Sequence, residues 1–169
     1  MSTPIELFRR LSTGVYVVGV AHQGRMNAFT AAWITQVSFN PLLVALSINP
    51  KNLSYSLLTA SRVFVLNMLK EDQLELARHF GTQSGTDLDK LAGQRCRPGR
   101  LGAPILEDAA AYLECRVMSS ITAGDHEIVL GTPVGGEVID DTAEVMMYAQ
   151  TGDLDGSSEL YPRTFEQRS

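Results

Sequence analysis

Between Met26 and Pro50 the chain reads MNAFTAAWITQVSFNPLLVALSINP, with apolar residues interleaved among small hydroxyls and amides and no Asp, Glu, Lys, Arg or His. The run is long enough to cross a bilayer, but Pro41 and the repeated amides would be costly in hydrocarbon, so the pattern favours core strands of a soluble sheet. Strands are predicted near 27–34 and 42–48. A helical opening, Ile5 to Ser12, runs into the valine-rich strand Gly14 to Val20, and His22-Gln23-Gly24 makes a turn. A further strand falls near 62–69. Residues 71–80 predict a helix, with Glu71 and Asp72 at its start, Leu74, Ala77 and Phe80 on one face and Gly81 at its end.

From Gly81 to Ala110 the pattern loses its period, and glycines and prolines make a long connection of the kind used for lids or dimer contacts. Thr86-Asp87-Leu88-Asp89 offers one short helix start within it. Strands resume at 112–120, 127–138 and 143–148, so the second half reads as mostly antiparallel hairpin and the whole as mostly β with Greek-key closure.

The charge-free run also has a chemical reading. Apolar walls with a few neutral donors and acceptors suit a planar, uncharged ring as well as they suit a bare core. After it come Asn49-Pro50-Lys51-Asn52-Leu53-Ser54-Tyr55-Ser56 and then the helical Leu57-Leu58-Thr59-Ala60. A loop of hydroxyls and amides with one lysine, opening onto a helix start, is a candidate phosphate cradle, because free backbone N–H groups and the helix dipole favour an anion. Ser54 alone also reads as an N-cap. Ring pocket and anion site together describe a flavin mononucleotide better than a bare core.

Length and charge narrow the classes. At 169 residues the chain can bury about 70% of its unfolded surface as one domain. Cys96 and Cys115 lack metal-ligand spacing, so no metal site is expected and both read as reduced thiols. Arg9 and Arg10 interrupt the first apolar segment, which speaks against a secretory leader. A net charge of −5 argues against nucleic acid as a main partner.

In order along the chain, Asn27-Ala28-Phe29-Thr30-Ala31-Ala32-Trp33, Gln36-Val37-Ser38-Phe39-Asn40-Pro41, Ser47-Ile48, Phe64-Val65-Leu66-Asn67 and Gly124-Asp125-His126 resemble the flavin reductase-like family with the FMN-binding split barrel, including the reductase module of cyanobacterial flavodiiron proteins. The resemblance covers roughly residues 5 to 150. It implies a mainly β, six-stranded antiparallel Greek-key split barrel with short flanking α-helices, spanning 1–169 as one domain with 150–169 a flexible acidic tail. It further implies FMN as cofactor, with FAD or riboflavin as alternative flavin substrates, and hydride transfer from NADH or NADPH. Reduced flavin or electrons would then pass to a partner such as a monooxygenase, in a cytoplasmic homodimer that engages neither membrane nor nucleic acid. The alternative is a flavoredoxin-like FMN electron carrier without nicotinamide turnover.

The same resemblance assigns residues. Asn27, Thr30, Ala31, Ala32, Trp33, Gln36, Val37 and Ser38 would follow the isoalloxazine and ribityl chain. Ser47, Ile48, Asn49, Lys51, Ser54 and Ser56 would approach the ribityl and phosphate end. On spacing alone Gly124-Asp125-His126 is an ordinary turn; the resemblance places Asp125 and His126 beside the nicotinamide, with His126 as a positioning and hydrogen-bonding group. Relatives often bring an aromatic from the C-terminal region to the flavin across a dimer, which makes Tyr161 a position of interest. Asn67 divides evenly between a backbone-satisfied buried amide and a flavin contact. His79 reads as a helix C-terminal cation paired with Glu75, His22 as a solvated turn residue, and Trp33 as a core or interface aromatic unless a flavin lies against it.

Overall fold

The computed structural model describes residues 2–83 and 88–165. Helix α1 (Pro4–Phe8) is shorter than predicted; Thr3 caps it and Pro4 starts it. Strands β1 (Tyr16–His22) and β2 (Arg25–Ala31) form a hairpin in which Tyr16 pairs with Ala31 and His22 with Arg25. The turn is therefore Gln23-Gly24, and His22 ends the strand. Strand β3 (Ile34–Phe39) was not separable from β2 in the sequence. It is an edge strand with only Ile34 buried, so its side chains carry little alternation. It pairs with β4 (Leu42–Ile48), as β4 does with the long hairpin described below.

Helix α2 (Leu53–Ser61) begins four residues earlier than its apolar pattern, because the side chain of Asn52, not Ser54, is the N-cap and accepts from the Ser54 N–H at 2.9 Å. Strand β5 (Val63–Met68) follows directly. Helix α3 (Leu74–Thr82) starts after Glu71 and Asp72, since those residues belong to a turn in which Gln73 Oε1 accepts from the Lys70 N–H at 2.9 Å and the Glu71 N–H donates to the Glu144 carbonyl. The long connection then holds a short hairpin, β6 (Cys96–Pro98) with β7 (Pro104–Leu106). The helix start proposed at Thr86 and Asp87 lies outside the described residues. Strands β8 (Ala111–Ala123) and β9 (His126–Val138) form the long hairpin.

Apart from the separate β6–β7 pair, the strands make one antiparallel sheet in the order β2-β1-β5-β8-β9-β4-β3. The mainly β split-barrel class stands, with seven strands in this sheet instead of six because β3 is separate from β2. The expected strand at 143–148 is not one. Val145 and Met147 make isolated bridges to Lys70 and Gly14, and the segment crosses the ends of β1 and β5.

Alternate side chains separate two cores, as a period of two requires. Val18, Val20, Phe29, Leu46, Ile48, Phe64 and Leu66 point inward with Cys115 and Val129, joining both ends of the sheet around one centre. Val15, Val17 and Ala28 point outward and pack against Ala77 and Phe80 of α3, together with Leu91 and Met146. Asn67 is fully buried and satisfied by backbone: its Nδ2 donates to the Val17 and Pro104 carbonyls at 3.0 and 3.3 Å, and its Oδ1 accepts from the Leu106 N–H at 2.8 Å. It is a structural clamp between β1, β5 and β7. Among the described residues no helix is long and apolar enough to cross a membrane.

Candidate functional site

The edge strand β2, the start of α2 and the end of α3 converge on a cleft of about 640 Å³. Thr30, Asn49, Lys51 and Ser56, all expected from the sequence, line it, as do Phe29 and Phe80. Their positions follow from local structure. The Asn49 Oδ1 accepts the Lys51 N–H at 2.9 Å, curling the loop so that Lys51 stands exposed at its rim, and the Asn52 cap directs α2's first turn at the cleft. Thr30 donates through Oγ1 to the Ala77 carbonyl at 2.7 Å, tying β2 to α3.

Asn27 and Ser54 meet each other in the interior instead of facing the cleft. Asn27 Nδ2 donates to Ser54 Oγ at 3.0 Å, and the two residues are 4% and 0% exposed. This bond pins β2 to α2 and so sets the width of the cleft. Ile48 likewise turns into the barrel core and offers a ligand only its backbone. Ala31 and Ala32 border a smaller cavity of about 60 Å³, which Thr30 and Gly81 share with the main cleft. Its far wall is Tyr148, Leu154 and Asp155 of the C-terminal segment, which forms two short 3-10 turns and is tied back by Arg9 to Asp153 at 3.0 Å. Tyr161 sits against Phe8 of α1, ring centroids 5.8 Å apart.

Trp33, Gln36 and Val37, exposed, and Ser38, half-buried, continue the neutral strand edge beyond the cleft. Trp33 is 47% exposed, and its carbonyl accepts from the Ser47 N–H, aligning the start of β3 with β4. Its ring centroid is 5.0 Å from the imidazole of His126, tilted by 50°. Gly124 takes φ +66° at the tip of the β8–β9 hairpin, a left-handed conformation suited to glycine, and delivers Asp125 and His126 to this point. Asp125 Oδ1 lies 2.8 Å from His126 Nδ1. An ionised carboxylate only accepts, so Nδ1–H is the donor and Nε2 is the acceptor of a neutral ring. Asp125 is held below the usual carboxylate range first by this hydrogen bond and then, when the ring is protonated, by the His126 charge, with Lys51 adding to it. The hairpin tip and the loop before α2 are thus electrostatic neighbours.

One expectation about a histidine partner changes. His79 Nε2–H donates to the Lys90 carbonyl at 2.7 Å, while Glu75 pairs with Arg78. Sequence reasoning also missed polar residues of the cleft, Asn52, Gln83 and Lys90. An asparagine immediately before a helical pattern was a legible N-cap signal. Lys90 had no such signal, because it lies in an aperiodic loop and only the packing of that loop on α3 brings it to the cleft.

A barrel split beside a cleft with a neutral wall and a cationic end defines a class of flavin-binding oxidoreductase domains. The chain belongs to that class: the flavin reductase like domain matches it over residues 8–156. It is 36% identical over 131 residues to the diflavin flavoprotein A 1 of Synechocystis sp., covering 76% of this chain and 23% of that protein. With the high molecular weight rubredoxin of Moorella thermoacetica it shares 34% identity over 131 residues, 57% of that protein. The chain thus spans about a quarter or less of the diflavin flavoproteins it matches. Among solved structures, the NADH:FAD oxidoreductase of Streptomyces globisporus superposes with TM-score 0.79 at 29% identity, covering 86% of each chain. The FMN-binding protein of Thermus thermophilus with bound p-hydroxybenzaldehyde gives 0.78 at 30% identity, covering 95% of this chain and 90% of that one.

Proposed function

We propose that this domain binds FMN in the cleft and transfers hydride to it from NADH or NADPH, supplying reduced flavin or electrons to a redox partner. The observations that carry this reading are the cleft between β2 and the cationic loop before α2, and the Trp33–His126 pair at a hairpin tip whose Asp125 feels the charge of Lys51. The residues present fit a flavin. Thr30, Ala31, Ala32 and the edge from Trp33 to Ser38 would border the ring, and Asn49, Lys51, Ser56 and the first turn of α2 would hold the phosphate. Ser47 would border the ribityl chain through its hydroxyl, while Asn27, Ile48 and Ser54 would support the wall from behind.

When bound, the flavin supplies hydride acceptance and onward electron release. The chain supplies position. His126, oriented by Asp125, would offer Nε2 as an acceptor at the mouth of the site, and Trp33 would cover the imidazole face and exclude water. No residue here need act as a general base. Homodimerisation fits the exposed apolar side chains of the sheet, above all Phe39 at 88% and Ile121 at 63% exposed, with Val37, Leu42 and Met118 about half exposed. Conversion of a dimer to a monomer by Phe39→Asp in sedimentation would support that arrangement, and a monomeric wild type would refute it.

The deciding experiment is anaerobic stopped-flow absorbance of FMN-loaded protein mixed separately with NADH and NADPH. Rapid bleaching of oxidised flavin that slows by at least about tenfold in His126→Ala is expected. Flavin that stays oxidised with both nucleotides would overturn the reductase reading and leave an electron carrier.

A further inference from the structure

Charge is unevenly distributed along the chain. Residues 7–70 hold six lysines and arginines and no Asp or Glu, whereas residues 71–169 hold eighteen acids against eight such cations. The fold gathers part of this asymmetry at one end of the sheet. Arg25 closes the β1–β2 hairpin opposite His22, and Arg62 is the C-cap of α2 at the start of β5. Arg116 of β8 pairs with Val63 of β5, and Arg100 sits in the turn between β6 and β7. All four arginines are exposed. Beyond the other end of β5, by contrast, Lys70 stands among Asp72, Asp108 and Asp140.

The four arginines border a pocket of about 470 Å³ that shares no described lining residue with the cleft. Ala21, Met26, Val63 and Leu101 give it an apolar surface, His22 and Ser61 add polar edges, and no acidic side chain is in its described lining. Arg62 is held in place: its Nη2 donates to the Val117 and Met118 carbonyls, both at 3.1 Å, which fixes a cation along β8 beside Arg116. Arg100 lies over Gly135 of β9, its Nη1 3.5 Å from where a Cβ would stand there, and the Glu114 carboxylate approaches the same point. Glu114 accepts the Leu101 N–H at 3.1 Å and is 2% exposed, so it anchors the turn from beneath and offsets Arg100 in part. Arg25, Arg62 and Arg116 carry the outward charge.

We propose that this arginine-bordered end is a docking surface for a partner protein that presents an apolar side chain between carboxylates. A cationic concave patch on a chain of net charge −5 concentrates potential for an anionic partner, and opposite charge steers and orients the encounter. Arginine and methionine are enriched at protein interfaces, and Met26 is 40% exposed at this one. The described lining holds no Phe, Tyr or Trp on which nucleic-acid bases could stack, which favours a protein as the anion. Helix α2 runs from the cleft at Leu53 to this end at Ser61, about 13 Å, so a docked partner leaves the cleft open. The surface stands whether or not the cleft holds a flavin.

The test is an amide NMR titration of the whole chain, at low ionic strength, with a short peptide of glutamates around one central phenylalanine. Shifts are expected to concentrate at residues 21–26, 61–63, 100–102 and 116–118, and to fade at about 1 M salt, where the Debye length is about 3 Å. Arg25→Glu combined with Arg116→Glu is expected to weaken the peptide by about tenfold. Arg95→Glu, which reverses an exposed arginine paired with Asp108, is expected to change it by less than about twofold. Arg62 is left in place because its carbonyl bonds join β5 to β8. Should the double variant fail to fold, Arg25→Gln and Arg116→Gln decide singly, each expected to weaken the peptide by about twofold to threefold. Shifts spread over every cationic segment, equal weakening by Arg95→Glu, or equal affinity for a glutamate peptide without phenylalanine would overturn the proposal. Tighter binding of a single-stranded oligonucleotide of the same charge would overturn the assignment to a protein.

Discussion

Replacing Asn67 by alanine separates a structural clamp from a cofactor contact. In the fully buried site the amide makes three hydrogen bonds, to the Val17 and Pro104 carbonyls and from the Leu106 N–H. Losing the two donated bonds costs about 0.5–1.5 kcal/mol each, and leaving the Leu106 N–H buried without a partner costs about 1–3 kcal/mol. The sum is about 4 kcal/mol. For a domain of this size each kcal/mol lowers the melting temperature by about 2–4 °C, so Asn67→Ala is expected to melt about 8–16 °C below wild type. Calorimetry and urea unfolding measure the loss, and FMN titration of the folded variant at low temperature measures the cofactor. FMN affinity is expected to change by less than about threefold, under 1 kcal/mol. A melting temperature within about 3 °C of wild type, or a tenfold loss of FMN affinity at unchanged stability, would refute the clamp.

Gly131 of β9 faces Phe64, and an added Cβ would lie 2.5 Å from that buried ring, so Gly131→Ala is expected to cost about 1–3 kcal/mol in urea unfolding; wild-type stability would show that the ring has room to move. Asp140 is held down to about 2 from its ordinary 3.8, chiefly by its hydrogen bond to Lys70 and then by Thr142. Its contribution to stability is therefore present above pH 3.8 and lost as pH falls towards 2, so Asp140→Asn should flatten part of the acid limb of a melting-temperature profile; an unchanged acid limb would exclude the pair as a contributor. Cys115 is buried and its thiol pushed up to about 12, first by desolvation and then by the Glu114 charge. Alkylation near pH 8 is expected to spare Cys115 in native protein and to modify it only after denaturation; native modification at the denatured rate would contradict its burial.

How much of this was legible depended on whether the information was local. The charge-free run, the valine strands and the long hairpin announced a mainly β chain, because side-chain alternation and turn glycines act within a few residues. The loop from Asn49 to Ser56 was legible as a polar turn into a helix start for the same reason. The ordered motifs carried the family. Strand β3 was not separable from β2, because an edge strand with one buried side chain has almost no period. Residues 143–148 alternate well enough to pass for a strand, yet the ends of β1 and β5 offer them only isolated bridges.

Within the site, sequence named the segments and tertiary structure sorted their side chains. Asn27 and Ser54 are paired with each other, Ile48 belongs to the core, and Asn67 holds β1, β5 and β7 together. Those fates depend on what lies opposite each residue, and the partners are tens of positions away. Trp33 meets His126 only because β4 pairs with β9 in a register that carries the hairpin tip to the end of β3. Lys90 reaches the cleft only because its loop packs on α3. The amino-acid sequence by itself determined the strand-rich class, the family and several of the segments that border the cleft, since these follow from local patterning and ordered motifs. The tertiary structure alone decided which polar atoms are satisfied internally and which remain directed at the cleft, because hydrogen-bond satisfaction and desolvation are set by neighbours that only the closed fold supplies.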